Sequence, residues 1–509
     1  LAAKNAGETM PLDEVVVGRD VLELVSSAMY IDPMTVYREY VQNAADAIDE
    51  ARANGLLLPD ESGDVAIAID AGSRTIRIRD NGTGISNKDF ARKMAALGSS
   101  GKRGTKARGF RGVGRLAGLG YAQELIFRSK TQGDDAVCEL TWDCRKLKAG
   151  LRQGDGEIQD LIRAVTAFRK RPIADFPERF FEVELRGVIR LRSDRLMSPA
   201  AVQDYLAQVA PVPFAPEFKF GPEIRAALAQ FVELGELTIR IEGNDHPVYR
   251  PHRDTYQDDN GRMISFDDLS VSTIPGIDGD PAAIAWVLHH DYEGAVPGAA
   301  GIKGLRLRCG NVQIGEHALL EELFPETRFN GWAVGEIHVI DRKIVPNGRR
   351  DHFEQNAHYH NLTNQLAPIA RDIAKHCRTN SVRRKWEREF ELSATSVREA
   401  FSVIKQGSLG VQARDQVALA AEQNILKMAK IADMPILVNE ASDRNQTISE
   451  LRGRLQDLMA DEHPVSSPLA RLPEEDRKRF ESFFELIYEC SANRVAAKAL
   501  IDRILLRLE

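Results

Sequence analysis

No run of about 18 apolar residues occurs anywhere in the 509-residue chain, which excludes a membrane-spanning helix. Residues 1–10 are polar and lack the apolar core of a signal peptide, and Met10 is a candidate natural start. Cysteine is scarce: the five residues are Cys138, Cys144, Cys309, Cys377 and Cys490, with no C-x-x-C pair. Neither a disulfide framework nor a zinc site is expected, and a reducing cytoplasm is the simplest location. Histidine is absent before His246, and there is no internal repeat or low-complexity tract. The net charge of −7 argues against a wholly basic nucleic-acid coat. Acidic residues, in turn, are missing from one stretch. Arg92, Lys93, Lys102, Arg103, Lys106, Arg108, Arg111 and Arg115 follow one another with no carboxylate between them.

What is present is ordinary globular composition, 43% hydrophobic and 28% charged. At roughly 100–200 residues per domain, the length predicts three or four domains. A helix is expected over 32–55, with Pro33 in its first turn and Gly55 as its stop. Strands are expected over 64–70 and 74–79, the second with Ile76 and Ile78 alternating against Arg77 and Arg79. A helix over 89–97, a glycine-rich loop, a helix after Gly112, and strands near 124–128 and 136–142 follow. From about 150 to 375 the pattern is mixed, with strand-like runs at 180–185, 237–242, 282–289, 304–314 and 335–340 and a helix at 199–209. Beyond about 362 the chain reads as helical, with a break at Pro464 and Pro468. The expected class is α+β, divided at 10–180, 181–362 and 363–509, the last part all-helical.

Four segments carry chemistry. Glu39, Asn43 and Asp46 stand at i, i+4 and i+7, on one face of the first helix. A carboxylate–amide–carboxylate stripe on a helix otherwise covered by Tyr37, Tyr40, Val41, Ala44 and Ile48 calls for a partner. Mg²⁺ with phosphates and water would satisfy it; a solvated polar face is the alternative. Asp80, Gly82 and Gly84 directly follow a strand. There a carboxylate can accept from an adenine amino group while glycines admit a flat base, though an ordinary Asp-Asn-Gly turn has the same letters. The stretch 97–106 contains Lys102, and 109–114 contains Gly109, Gly112, Val113 and Gly114 leading into a small-residue helix. Glycines at a helix start expose N–H groups to an anion, and the basic cluster supplies countercharge; a solvent-facing loop is the alternative. Two look-alikes fail. Ala96 and Arg103 rule out a phosphate loop of the G-x-x-x-x-G-K-[ST] type, and a basic loop precedes Gly112-Val113-Gly114 where a dinucleotide fingerprint needs an apolar strand.

Taken in order, these segments resemble the GHKL ATPase superfamily: gyrase-type topoisomerases, the 90-kDa heat-shock chaperones, sensor histidine kinases and MutL, with MORC proteins as relatives. Glu39 to Ala47 is similar to its first box, Asp80-x-Gly82-x-Gly84 to its adenine box, and Gly109 to Gly114 to its glycine box, in a form close to MutL. The stretch 97–106 is most similar to the chaperones. The resemblance implies a Bergerat-fold α/β sandwich ATPase domain followed by a mixed α/β transducer (middle) domain; the helical C-terminal region lies beyond its reach. It implies Glu39 as general base, Asn43 as Mg²⁺ ligand, Asp46 beside the nucleotide and Asp80 on adenine. Lys102 would approach the phosphates, and the N–H groups of the glycine box would cradle them. Pro346-Asn347-Gly348-Arg349-Arg350-Asp351 is similar to the chaperone middle-domain segment whose arginine reaches the γ-phosphate, which gives that role to Arg350 and a supporting one to Asn347.

The resemblance runs over 18–145, extends to 180–360 and stops near 365. Two departures stand out: almost nothing separates Lys106 from Gly109, where the chaperones insert a lid, and Arg179-Phe180-Phe181-Glu182 stands where the family often has Gly-Thr, leaving the second adenine contact unassigned. The expected activity is Mg²⁺-dependent ATP hydrolysis that closes a homodimer on a protein client. A MORC- or MutL-like ATP-gated DNA clamp or defence-system ATPase is the alternative, with the basic residues then serving nucleic acid. The missing upstream histidine disfavours a sensor kinase, and the space after 365 is too short for a gyrase cleavage domain. In the tail, Arg383, Arg384, Lys385 and Arg388 mix with Glu387, Glu389 and Glu391, as on a solvated helix face, and the region is expected to dimerise or dock a partner.

Overall fold

A computed structural model describes residues 32–58, 60–95, 114–153, 158–191, 193–460, 468–491 and 493–508. These residues form two compact units, divided between Ala374 and Lys375.

The first unit opens with helix α1 (Thr35–Ala53), strands β1 (Asp64–Asp70) and β2 (Thr75–Asp80) and the short helix α2 (Phe90–Ala95). Strands β3 (Glu124–Lys130) and β4 (Val137–Asp143), helices α3 (Cys144–Gln153) and α4 (Ile158–Val165), and strands β5 (Thr166–Arg171) and β6 (Phe180–Arg186) follow. Next come α5 (Pro199–Val209), α6 (Gly221–Ala229) and β7 (Thr238–Ile241). Seven strands make one sheet in the order β5-β4-β3-β6-β2-β1-β7, antiparallel except where β7 runs parallel to β1. The sheet thus draws its central strand, β6, and one edge, β7, from residues at or beyond 180.

Alternation along the strands separates its faces. Val65, Ile67, Ile76, Ile78, Leu125, Phe127, Val183 and Leu185 point inward and pack with Tyr37, Tyr40, Val41, Ala44 and Ile48 of α1 in one core. On the other face Arg79, Glu182, Arg128, Glu139 and Arg169 lie opposite one another across five strands. Arg128 donates to Glu139 and Glu182 at 2.7 Å each and also to Glu184, so three buried carboxylates raise its pKa despite burial. Opposite charges at opposed positions stabilise register without an apolar face.

The small hairpin β8 (Thr255–Gln257) and β9 (Met263–Ser265) precedes a second sheet. That sheet contains β10 (Asp268–Pro275), β11 (Pro281–His289), β12 (Gly304–Cys309), β13 (Val312–Ile314) and β14 (Val334–Val339), in the order β10-β11-β14-β12-β13. Trp286, Leu288 and Val334 pack with Phe218 of the preceding chain and Phe266. The run 304–314, expected as one strand, is a hairpin. Gly310 and Asn311 both take positive φ, 56° and 62°, which turns the chain back on itself.

Helix α7 (Ala357–Gln406) begins before the division and ends after it. The second unit is helical: the rest of α7, α8 (Val411–Ala432), α9 (Ala441–Ala460), α10 (Glu474–Cys490) and α11 (Arg494–Leu505). Phe390, Val397, Phe401, Ile425, Met428 and Leu451 share one core, and Leu469, Phe484, Ile501 and Leu505 a second. The architecture is α+β with a helical C-terminal region, as expected. No helix among the described residues is long and apolar enough to cross a membrane.

Candidate functional site

Helix α1 carries no glycine or proline, and Asp32 accepts from the Met34 N–H at 3.1 Å just before it. Its direction is set by two tyrosines. Tyr37 Oη donates to the Leu196 carbonyl at 2.7 Å. Tyr40 Oη donates to the Arg115 carbonyl at 3.1 Å and accepts from the Gly118 N–H at 2.9 Å. The second pair ties α1 to residues Gly114–Gly120, which form a 3-10 helix in the stretch where a helix was expected. The junction is close: a Cβ on Gly114 would collide with the Glu39 carboxylate.

On the face so presented, Glu39 is 5% exposed, Asp46 is buried and Asn43 is half-buried. Gly114 is the one glycine-box residue the structure places, and it lies against Glu39. Lys102, Gly109, Gly112 and Val113 lie outside the described residues.

Asp80, the last residue of β2, is buried, and its Oδ1 accepts from the Gly82 N–H at 2.9 Å. The following loop is pressed on α1, with Thr83 N–H donating to the Ala47 carbonyl at 3.2 Å, and a Cβ on Gly82 would stand 2.7 Å from that of Ala47. Gly84 has φ 69°, and a Cβ there would run into the Lys130 carbonyl. Both positions therefore require glycine. Arg179, which the sequence left without a role, donates to the carbonyls of Asn81 and Gly82, the latter at 3.3 Å.

The downstream segment reaches the same helix. Pro346 and Phe353 pair as a bridge, Asn347 N–H donates to the His352 carbonyl at 2.9 Å, and Asn347 Nδ2 donates to Asp351 at 2.6 Å. Within this turn Arg350 has φ 56°, a left-handed backbone a non-glycine residue adopts only at some cost. Its carbonyl is held by the Gly315 N–H at 2.9 Å. The side chain donates to both Glu39 oxygens, at 3.2 and 3.3 Å. Arg38, a residue the motif reading passed over, donates to the Arg349 carbonyl at 2.9 Å and lies 3.7 Å from Glu39. Its only sequence signal was adjacency to Glu39. The structure thus joins Glu39, Gly114 and Arg350, with Asn43 and Asp46 on the same helix, and places Asp80 where the adjacent loop meets that helix.

Among the described residues no three His, Cys, Asp or Glu side chains group to hold a metal. The oxygen donors on α1 suit an ion that takes one protein ligand and completes its shell with phosphate and water, the habit of Mg²⁺.

Residues 31–165 match the family described as histidine kinase-, DNA gyrase B-, and HSP90-like ATPase. Among curated relatives, the chaperone protein HtpG of Polaromonas naphthalenivorans is 26% identical over 203 residues, 35% of this chain and 30% of its own length. HtpG of Idiomarina loihiensis is 28% identical over 200 residues, 36% and 30% of the two chains. HtpG of Methylorubrum populi is 42% identical over 91 residues, 17% and 14% of the two. The chain thus spans about a third or less of the length of these relatives. With the Glu39 and Asp80 boxes on one helix face and one strand end, the segment 31–165 is a domain of the GHKL superfamily, the histidine kinase-, gyrase- and HSP90-like ATPases.

Proposed function

We propose that the protein hydrolyses ATP in the cytoplasm, and that nucleotide binding closes a homodimer on a protein client as in a heat-shock chaperone. Adenine sits on Asp80, with Asp46 beside the nucleotide and the phosphates toward Asn43 and the glycine box. Asn43, together with the phosphates, would hold Mg²⁺, which would supply charge neutralisation on the transferred group. Glu39 orients the attacking water and takes its proton. Arg350 neutralises the γ-phosphate, and Asn347 keeps its turn in shape.

The observation that carries this reading is the Arg350–Glu39 contact, which joins residues 311 positions apart. An arginine that already meets the general base stands where the terminal phosphate must come. Arg350 donates to both Glu39 oxygens and occupies them, so transfer of the guanidinium to a phosphate frees that carboxylate to meet a water. ATP binding and activation of Glu39 then become one event.

Glu39→Ala is expected to lower turnover by about 10²–10⁴-fold, the usual worth of a general base, with ATP affinity by calorimetry largely kept. Wild-type turnover in that variant would remove Glu39 from the chemistry. Arg350→Ala should also lower turnover, and Asp80→Asn should weaken binding itself.

A further inference from the structure

The inner face of the first sheet carries, beside Asp80, an aromatic ring that the proposed reaction leaves unused. Asp80 of β2 lies opposite Phe181 of β6, and Phe181 lies opposite Ser129 of β3. Directly opposed residues of antiparallel neighbours project from the same face with Cβ atoms about 4.5–5.5 Å apart. A base whose amino group reaches the Asp80 carboxylate therefore meets the Phe181 ring. That ring is only half-buried, although β6 is the central strand of seven and the face is the one α1 packs against. Phe127 borders it on one side, with ring centroids 6.0 Å apart.

The third residue of the row has nothing polar to offer. Ser129 is wholly buried; its hydroxyl donates to the Phe180 carbonyl at 2.8 Å and accepts from the Ile85 N–H at 2.8 Å. The capacity of this row to read a base by hydrogen bonding is confined to Asp80.

We propose that Phe181 is a base-contacting residue that sets the specificity of the site: the ring holds the base by aromatic contact while Asp80 alone reads its exocyclic amino group. This rests on the nucleotide-binding reading above. The ligand class is a nucleotide with an amino group on that edge of the base. A base with a carbonyl there faces the carboxylate, and no neighbour in the row compensates.

Calorimetry on the full chain with ADP, IDP and ribose 5-diphosphate, the last by competition, tests it. Phe181→Ala should lower ADP affinity by about tenfold or more, the usual worth of an aromatic–base contact, and leave ribose 5-diphosphate binding unchanged. Phe181→Tyr should bind ADP as the wild type does. The preference for ADP over IDP should survive in Phe181→Ala and collapse in Asp80→Asn. Should the alanine variant fold poorly, Phe181→Leu, which keeps apolar bulk, should show the same selective loss. Equal losses for ADP and ribose 5-diphosphate would mark a structural residue and overturn the proposal, as would unchanged ADP affinity. If the wild type binds no ADP, the nucleotide reading itself fails and takes this one with it. That outcome is distinct from ADP binding equally to wild type and variant.

Discussion

Glu39 is hemmed in from two sides, by the Gly114 backbone and by the Arg350 guanidinium, and small changes at either are expected to act on the carboxylate. Gly114→Ala would displace it, and a misplacement of about 1 Å can cost about 10²-fold in rate. Phosphate release assays on Gly114→Ala should show a loss of that order, with the melting temperature little changed. At Gly84, positive φ and the Lys130 carbonyl both oppose a side chain, so Gly84→Ala should destabilise by about 1–3 kcal/mol in denaturant titration. Glu39, Asn43, Asp46 and Asp80 were legible as candidates because helix periodicity and strand ends are local patterns. Arg38 and Phe181 were not. Arg38 matters through a carbonyl 311 positions away, and Phe181 through a register that no local pattern states.

At the scale of elements, the second sheet is organised around a buried carboxylate. Glu336 of β14 accepts from Arg250, from Arg308 at 2.6 Å and from His338 at 3.1 Å, all buried. The two guanidiniums hold its carboxyl well below the usual range, against a burial that by itself would raise it. Removing one partner of a buried ion pair typically costs about 3–5 kcal/mol, so Glu336→Gln should lower the denaturation midpoint by a corresponding amount.

The same cluster sets an acid limit. Burial pushes His338 down from 6.5 to about 4 and His252 to about 3. In both, the folded chain binds fewer protons than the unfolded one, so the stability they allow is full above pH 6.5 and declines as the pH falls toward 4. The contribution of Glu336, also depressed, is present above about pH 4.5 and is lost below it. Melting temperatures measured from pH 7.5 to 4 should fall through the first window, and His338→Gln should flatten the upper part of that slope.

This network was outside the reach of a linear reading. Glu336 alternates with apolar neighbours in a strand whose residues are all buried, and its two arginine partners come from two other segments. The strand 335–340 was expected within a residue of its actual bounds, whereas 304–314 was read as one run. There hydrophobic alternation outweighed the Gly310-Asn311 turn.

For the whole molecule, the proposed cycle predicts a nucleotide-dependent assembly. Light scattering with a non-hydrolysable ATP analogue should show twice the mass of one chain, and Glu39→Ala should hold that state with ATP itself. A constant monomer under both conditions would end the dimer-closure reading while leaving ATP hydrolysis intact.

Composition and spacing alone established an α+β chain with a helical end and four candidate nucleotide segments, because amphipathic period, strand alternation and glycine punctuation are written within a dozen residues. The joining of Arg350 to Glu39, the placement of Phe181 beside Asp80, and the sharing of one sheet by strands from 64 to 241 came from packing and register. Such contacts form between segments whose separation along the chain carries no local signal. Their geometry exists only once the intervening elements have buried their apolar faces.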